Sequence, residues 1–230
     1  MFSVIFEVHP KKEEFDRYLG LAKQLKPILE GMDGFIDNER FESTGRSGWI
    51  LSHSTWRDEK SVVRWRTLAK HHETQAEGRN HVFQDYHLRV GEIVRDSAPP
   101  SGMSVVEQRL DETDIGAGKY MTLTEVRPVD QTKILTADDL RQTLPAVRDQ
   151  NSLVEFDIFS SIYNKGKLAL LVAWSDRRAA EAFKPELDSS LGTVRQRVVR
   201  IVRDYGMYDR RESPQYYPTI GAEGHPSQGQ

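Results

Sequence analysis

The sequence predicts an α+β protein made of two β-α-β-β-α-β units packed sheet to sheet within one chain, and three observations lead there. The first is repetition. Glu7-Val8-His9-Pro10 returns as Glu125-Val126-Arg127-Pro128, Pro27 as Pro145, Phe41-Glu42-Ser43 as Phe159-Ser160-Ser161, and Trp56-Arg57-Asp58 as Trp174-Ser175-Asp176, every pair 118 positions apart (7 to 125, 27 to 145, 56 to 174). One register held this long marks two copies of a single unit. The second is the alternation of strand-like and helix-like apolar patterns along each copy. The third is geometric: a four-stranded antiparallel sheet with both helices on one side leaves its other face bare, and a second copy covers it.

In the first copy, residues 2–9 are rich in Val, Ile and Phe and end at Pro10, a strand. Residues 12–30 carry Phe15, Tyr18, Leu19, Ala22, Leu25 and Leu29 at spacings of three and four, an amphipathic helix kinked at Pro27. Gly31 and Asp33-Gly34 stop it, and strands over 35–43 and 49–56 flank a turn with two glycines. Asp58 is placed to cap a second helix with Val62, Trp65, Leu68, Ala69, His72 and Ala76 on one stripe, weakened at Gly78. Residues 86–94 form the last strand. The expected boundaries are a first domain over 1–98, a linker over 99–118 with a short strand at 104–110, a second domain over 119–212, and a tail over 213–230.

The closing strands break the register. Ile93-Val94-Arg95-Asp96 matches Ile201-Val202-Arg203-Asp204 at an offset of only 108, so the second copy lacks ten residues after its tryptophan. In the first copy that interval holds Trp65, His71, His72, Gln75, Arg79 and His81, whereas the second passes from Phe183 through Lys184-Pro185 to Asp188-Ser189-Ser190. Any chemistry is expected in the first copy.

A net charge of −3 supplies no basic field for nucleic acid. The absence of cysteine excludes disulfides, thiolate nucleophiles and thiolate metal sites, and makes the cytosol the expected compartment. The longest strongly apolar run, residues 168–174, is too short to span a bilayer, so no membrane is expected. The histidines show no metal-binding spacing, and neither a phosphate loop nor a Gly-x-Ser-x-Gly elbow is present, so no metal is expected.

The Glu-Val-His-Pro strand end, the turn and strand over 31–40, residues 51–56 followed by Asp58-Glu59, the Trp65 helix and the strand into Val94-Arg95-Asp96 resemble the antibiotic biosynthesis monooxygenase superfamily. The first copy matches over nearly its whole length. The tail from Val202 to Arg210 and Pro214-Gln215-Tyr216-Tyr217-Pro218 resemble the ending of bacterial members. The resemblance implies ferredoxin-like units joined as a dimeric α/β barrel, here as a pseudo-dimer within one chain, with further homo-oligomers open. It also implies either cofactor-independent oxidation of phenols or haem degradation. Haem-degrading members use an asparagine on the first strand, a tryptophan on the second helix and a histidine ten residues later; Glu7, Trp65 and Gln75 stand there. The polyketide oxygenases use an asparagine one turn before the tryptophan, a tyrosine six after it and an arginine further on; here these are Ser61, His71, and Arg79 or Arg89.

His71 and His72 follow Trp65 by six and seven residues, so His72 shares the stripe of Trp65 while His71 lies about 100° round the helix. Either imidazole could take a phenolic proton or ligate haem iron, although adjacent histidines beside Lys70 and Glu73 also fit a polar face. Trp65 serves as pocket wall or as packing, and Trp56 as packing. Tyr86 and Arg89 are candidate polar anchors, with Gln75 and Glu7 as further binding residues. Glu7 and its repeat partner Glu125, buried at a sheet seam, are expected either to have raised pKa values or to pair with arginine. The leading expectation is a monooxygenase-like protein that binds a small aromatic or quinone-like molecule in the first copy and oxidises it without a cofactor, using His72 or His71 as base. Haem binding through His71, His72 or His81 is the alternative within the fold, and a non-catalytic ligand-binding or structural module is the third.

Overall fold

A computed structural model describes residues 1–109, 115–129, 135–142, 151–185, 187 and 192–209. Its first half contains β1 (Phe2–Pro10), α1 (Phe15–Glu30), β2 (Phe35–Ser43), β3 (Ile50–Trp56), α2 (Glu59–Thr67), α3 (Ala69–Glu77), a π-type turn (Gly78–Val82) and β4 (Phe83–Asp96). The second contains β5 (Tyr120–Arg127), α4 (Ala137–Arg141), β6 (Leu153–Ser161), β7 (Leu168–Trp174), α5 (Arg177–Ala182) and β8 (Thr193–Gly206). Among the described residues, no helix is long and apolar enough to cross a membrane.

The eight strands close into one antiparallel barrel in the order β1-β3-β2-β6-β7-β5-β8-β4. Each half keeps the ferredoxin-like order, β4-β1-β3-β2 and β8-β5-β7-β6. The halves meet at their edges as well as across their faces: β2 pairs with β6, Phe41 opposite Ser161, and β4 pairs with β8, Leu88 opposite Tyr205. Closure satisfies the edge amides and carbonyls that each half alone would leave open. Strand alternation then divides the core. Ile5, Phe41, Leu51, Ile93, Met121, Leu123, Phe159 and Leu171 fill the interior. Phe2, Trp56, Val62 and Val90 pack on the outer face of the first half with Leu29 of α1.

The β4–β8 seam is closely fitted at Gly91, where its register shifts. A Cβ on Gly91 would lie 2.4 Å from Val199 Cγ1 and 2.6 Å from the Arg200 carbonyl oxygen. The oxygen belongs to the paired strand and cannot retreat without opening the barrel. Gly91→Ala is therefore expected to cost about 1–3 kcal/mol, read as a lower denaturation midpoint with an unchanged slope; an unaltered midpoint would contradict this fit.

Two local expectations change. Residues 104–109 form no strand; Met103, Val105 and Ile115 instead pack against the barrel core, and the Arg109 amide donates to the buried Glu92 carboxylate at 3.4 Å. The half-buried Met103 and Val105 gain apolar contact there, while Ser104, Val106, Glu107 and Gln108 stay exposed. Leu110 and the tail over 213–230 lie outside the described residues. The second helix of the first half is broken in two at Leu68, whose backbone is extended (ψ 126°). In the second half α5 ends before Lys184-Pro185, and Phe183 folds onto Trp174 with ring centroids 5.3 Å apart.

Candidate functional site

A cavity of about 210 Å³ lies between the outer face of the first-half sheet, α1, and the α2–α3 pair. Helical spacing brings Tyr18, Leu21, Ala22, Leu25 and Leu29 of α1 to one wall, and alternation turns Val4 and Phe6 of β1 and Tyr86, Leu88 and Val90 of β4 toward them. The opposite wall carries Val62, Trp65, His71, His72 and Gln75, and Tyr205 of β8 reaches in from the second half. Phe6, Tyr18, Phe83 and Tyr86 form one aromatic cluster, with edge-on or tilted ring pairs 5.7–6.1 Å apart. Trp65 belongs to another, 6.3 Å from Trp56. Trp56 is fully buried, its indole donating to Ser54 at 2.9 Å, as packing requires.

Asp58 caps α2 by accepting from the Ser61 amide at 2.8 Å, as the spacing predicts. The Leu68 break then changes the expected orientation of His71. On a continuous helix His71 points away from Trp65; the break resets the phase, and the His71 imidazole stacks on the Trp65 indole with centroids 4.1 Å apart and planes 17° from parallel. His71 Nδ1 lies 2.9 Å from the Trp65 carbonyl oxygen. A carbonyl only accepts, so Nδ1 carries the proton and Nε2 keeps its lone pair. Burial, only partly countered by the Trp65 carbonyl, pushes the imidazole pKa down to about 4. The ring is therefore neutral at physiological pH. His72 and Gln75 also line the cavity, whereas His81 is exposed and lies off its wall.

The polar end joins Tyr86 to an arginine that the sequence ranks lower. Gly78 admits the π-type turn because the Phe83 ring lies where its Cβ would be, 2.6 Å away. That turn directs the buried Arg79 inward, and its guanidinium donates to the Tyr86 hydroxyl at 2.8 Å. Tyr86 is thus at the cavity as expected, but its arginine partner is Arg79 in place of Arg89. No carboxylate lines this cavity among the described residues, while the guanidinium groups of Arg66 and Arg79 do.

Arg89 and Glu7 are separated from the cavity by strand alternation, which sends both to the barrel interior. Arg89 donates to Glu7 at 2.7 Å, to His87 Nδ1 at 2.8 Å and to Glu155, so the cluster of Glu7, His87 and Glu155, whose ligand-type atoms lie within 4.8 Å of one another, already surrounds a guanidinium cation. Arg46 completes the pairing of Glu7 at 2.6 Å. The raised pKa expected of Glu125 is corrected: burial opposes its ionisation, but Arg197, His53 and Lys167 outweigh burial and hold the carboxyl at about 2. The other expectation for these glutamates, pairing with arginine, describes both.

The closed barrel, with an aromatic-walled cavity on one of its halves, defines an α+β barrel protein. The family model described as antibiotic biosynthesis monooxygenase matches residues 1–77. A relative named jasmonate monooxygenase ABM, from Pyricularia oryzae, is 41% identical over 222 residues, spanning 95% of this chain and 99% of that protein. The chain belongs to the antibiotic biosynthesis monooxygenase family. Among solved structures, an aldoxime dehydratase covers 87% of this chain and 80% of its own at 11% identity with a TM-score of 0.56, a likeness of fold. An anthrone oxidase-like protein covers 90% of this chain and 93% of its own at 11% identity with a TM-score of 0.36.

Proposed function

We propose that the protein is a monooxygenase that oxidises a small, largely apolar molecule in the first-half cavity, at a C–H bond made acidic by a neighbouring oxygen, as in an anthrone-type phenol. The observation that carries this reading is the neutral His71 imidazole held against Trp65 with Nε2 as its acceptor. Neutral imidazole accepts a substrate proton, and Arg79 with Tyr86 supplies donors to the oxygen that takes up the charge of the resulting anion. That anion reduces O2, one oxygen atom enters the carbon as a carbonyl and the other leaves as water. The substrate CH2 loses two hydrogens and provides all four electrons, so no resident cofactor is invoked. Haem receives less support, because Glu7 and Gln75 stand where the resemblance places an asparagine and a histidine in haem-degrading members, and Glu7 is paired with Arg89 and Arg46.

Jasmonate, the compound in the relative's name, is a small ketone and carboxylic acid, and belongs in the test panel. Oxygen uptake is to be followed with anthrone-type phenols, hydroxyquinols and jasmonate, with and without NAD(P)H. The expected result is uptake of one O2 per substrate with no reductant. Hydroxylation of an unactivated C–H bond needs two further electrons, so strict dependence on NAD(P)H would overturn the cofactor-free chemistry. No uptake with any compound, with the fold intact, would favour a non-catalytic ligand-binding module.

A further inference from the structure

We infer that Ser54, with Ser52 beside it, is a hydroxyl-donor contact on the cavity floor that recognises a carbonyl oxygen on the ring of the ligand. The inference rests on the proposed small-molecule site and deepens it by naming the ligand class, a ring ketone or quinone.

Alternation along β3 sends Leu51 to the barrel interior and turns Ser52 and Ser54 to the cavity, where Asn38 of β2 lies beside them. In β1 the partners of Ser54 and Ser52 are Val4 and Phe6, so the floor next to the serines is apolar. Hydrogen-bond chemistry fixes what the two hydroxyls offer. An indole only donates, so the Trp56 Nε1–H, 2.9 Å away, uses Ser54 Oγ as its acceptor and the Ser54 proton is left to donate. Asn38 is held on both sides: Nδ2 donates to the His53 carbonyl oxygen at 2.8 Å, and Oδ1 accepts from Arg40 at 3.2 Å. The same amide nitrogen points at Ser52 Oγ at 3.4 Å, which leaves the Ser52 proton as a donor too. Among the described residues neither serine hydroxyl donates to a protein acceptor. Ser54 is only 9% exposed, so its O–H turns to whatever fills the cavity. A buried donor without an acceptor is costly, and a ligand carbonyl oxygen on this floor removes that cost. A C–H edge leaves the proton unmet, and a carboxylate brings a charge that neutral hydroxyls do not compensate. The contact is separate from Arg79–Tyr86: Tyr86 is on β4, and β1 lies between β4 and β3. It belongs to the His71 side, because the indole bonded to Ser54 packs 6.3 Å from Trp65, which stacks on His71.

The test compares 1,4-naphthoquinone, with a carbonyl on each side of its ring, with 1-tetralone, which has one, by titration calorimetry on the full chain under nitrogen. The chain has no cysteine to add to the quinone. The quinone is expected to bind about three- to tenfold more tightly, the worth of one further neutral hydrogen bond. Ser54→Ala should bring that ratio close to one, Ser52→Ala should narrow it, and Ser54→Thr, which keeps the hydroxyl, should preserve it. Trp65→Ala should weaken both ligands alike. Ser54→Ala also takes the acceptor from the Trp56 indole, so if it does not fold, Ser52→Ala and the wild-type comparison decide. Equal binding of the two ligands by the wild type, or an undiminished ratio in folded Ser54→Ala or, failing that variant, in Ser52→Ala, would overturn the serine contact. If Trp65→Ala then still weakened both ligands, the cavity reading would survive that failure. Indifference of both ligands to Trp65→Ala, or no binding by either, would overturn the cavity reading and the serine contact together.

Discussion

Replacement of His71 by alanine is expected to lower kcat/KM for substrate oxidation by about 10²- to 10⁴-fold, the usual contribution of a positioned base, with the folded state retained. The imidazole is the cavity group whose tautomer is held by a backbone carbonyl, Nδ1 to Trp65 O at 2.9 Å, so its loss removes both the acceptor and the stack on Trp65. Burial lowers its pKa from 6.5 to about 4. In the free enzyme kcat/KM should therefore hold steady from neutral pH downward and fall only as the pH approaches 4, where Nε2 becomes protonated. Arg66, Arg79, His72 and the phenols of Tyr18, Tyr86 and Tyr205 are the other ionisable groups on the walls. A bound substrate anion favours imidazolium, so the acid limb of kcat should lie at higher pH than that of kcat/KM. A lowered pKa in a base also means that the unfolded chain binds the proton more readily, so stability from this group is complete above 6.5 and declines as pH falls toward 4. Full activity in His71→Ala, or an acid limb of kcat/KM near 6.5, would remove His71 from the base role.

Arg197→Met is expected to destabilise the barrel by about 3–5 kcal/mol at neutral pH, the cost of removing one partner from a buried ion pair, with Lys167, 2.9 Å from Glu125, as the cation that stays. Arg197 is 1% exposed and donates to Glu125 at 2.8 Å within the barrel wall. Burial alone would raise the Glu125 pKa; Arg197 is the largest of the influences that bring it down from 4.5 to about 2. A depressed carboxylate pKa contributes stability that is complete above 4.5 and lost as pH falls through about 2. The gap between wild type and variant should accordingly be widest near neutrality and narrow below pH 4.5, as Glu125 becomes protonated and no longer needs the guanidinium. Urea denaturation at several pH values measures this. A gap that did not change with pH would mean that Arg197 acts through packing of its aliphatic stem.

The strand and helix content of the first half could be read from its residues because the patterns there are local. Alternating Val, Ile and Phe make β1, a three-and-four spacing makes α1, and Asp58 three residues before Ser61 makes a cap. The recurrence at 118 positions, together with the resemblance it supported, pointed to an α+β barrel of two ferredoxin-like halves. The interval from Trp65 to Arg79 was legible as the region richest in chemical side chains, and Trp65, His71, His72, Gln75 and Tyr86 all line the cavity.

What the chain alone could not decide was orientation. Leu68 is neither proline nor glycine and carries no local signal for a helix break, yet its extended backbone turns His71 onto Trp65 in place of the His72 arrangement that an unbroken helix implies. Arg89, three residues after Tyr86, is the anchor the chain suggests, with Arg79 a looser candidate. The π-type turn brings Arg79 to the cavity, and strand alternation buries Arg89 against Glu7 on the far side of the sheet. Edge pairing of β2 with β6 and of β4 with β8 likewise joins residues more than a hundred positions apart. Periodicity along the chain reports which side chains share a face; which face meets a neighbour, and with what charge opposite, is determined only when distant segments are brought together, and so only the tertiary structure could settle the cavity's acceptor end and its cationic end.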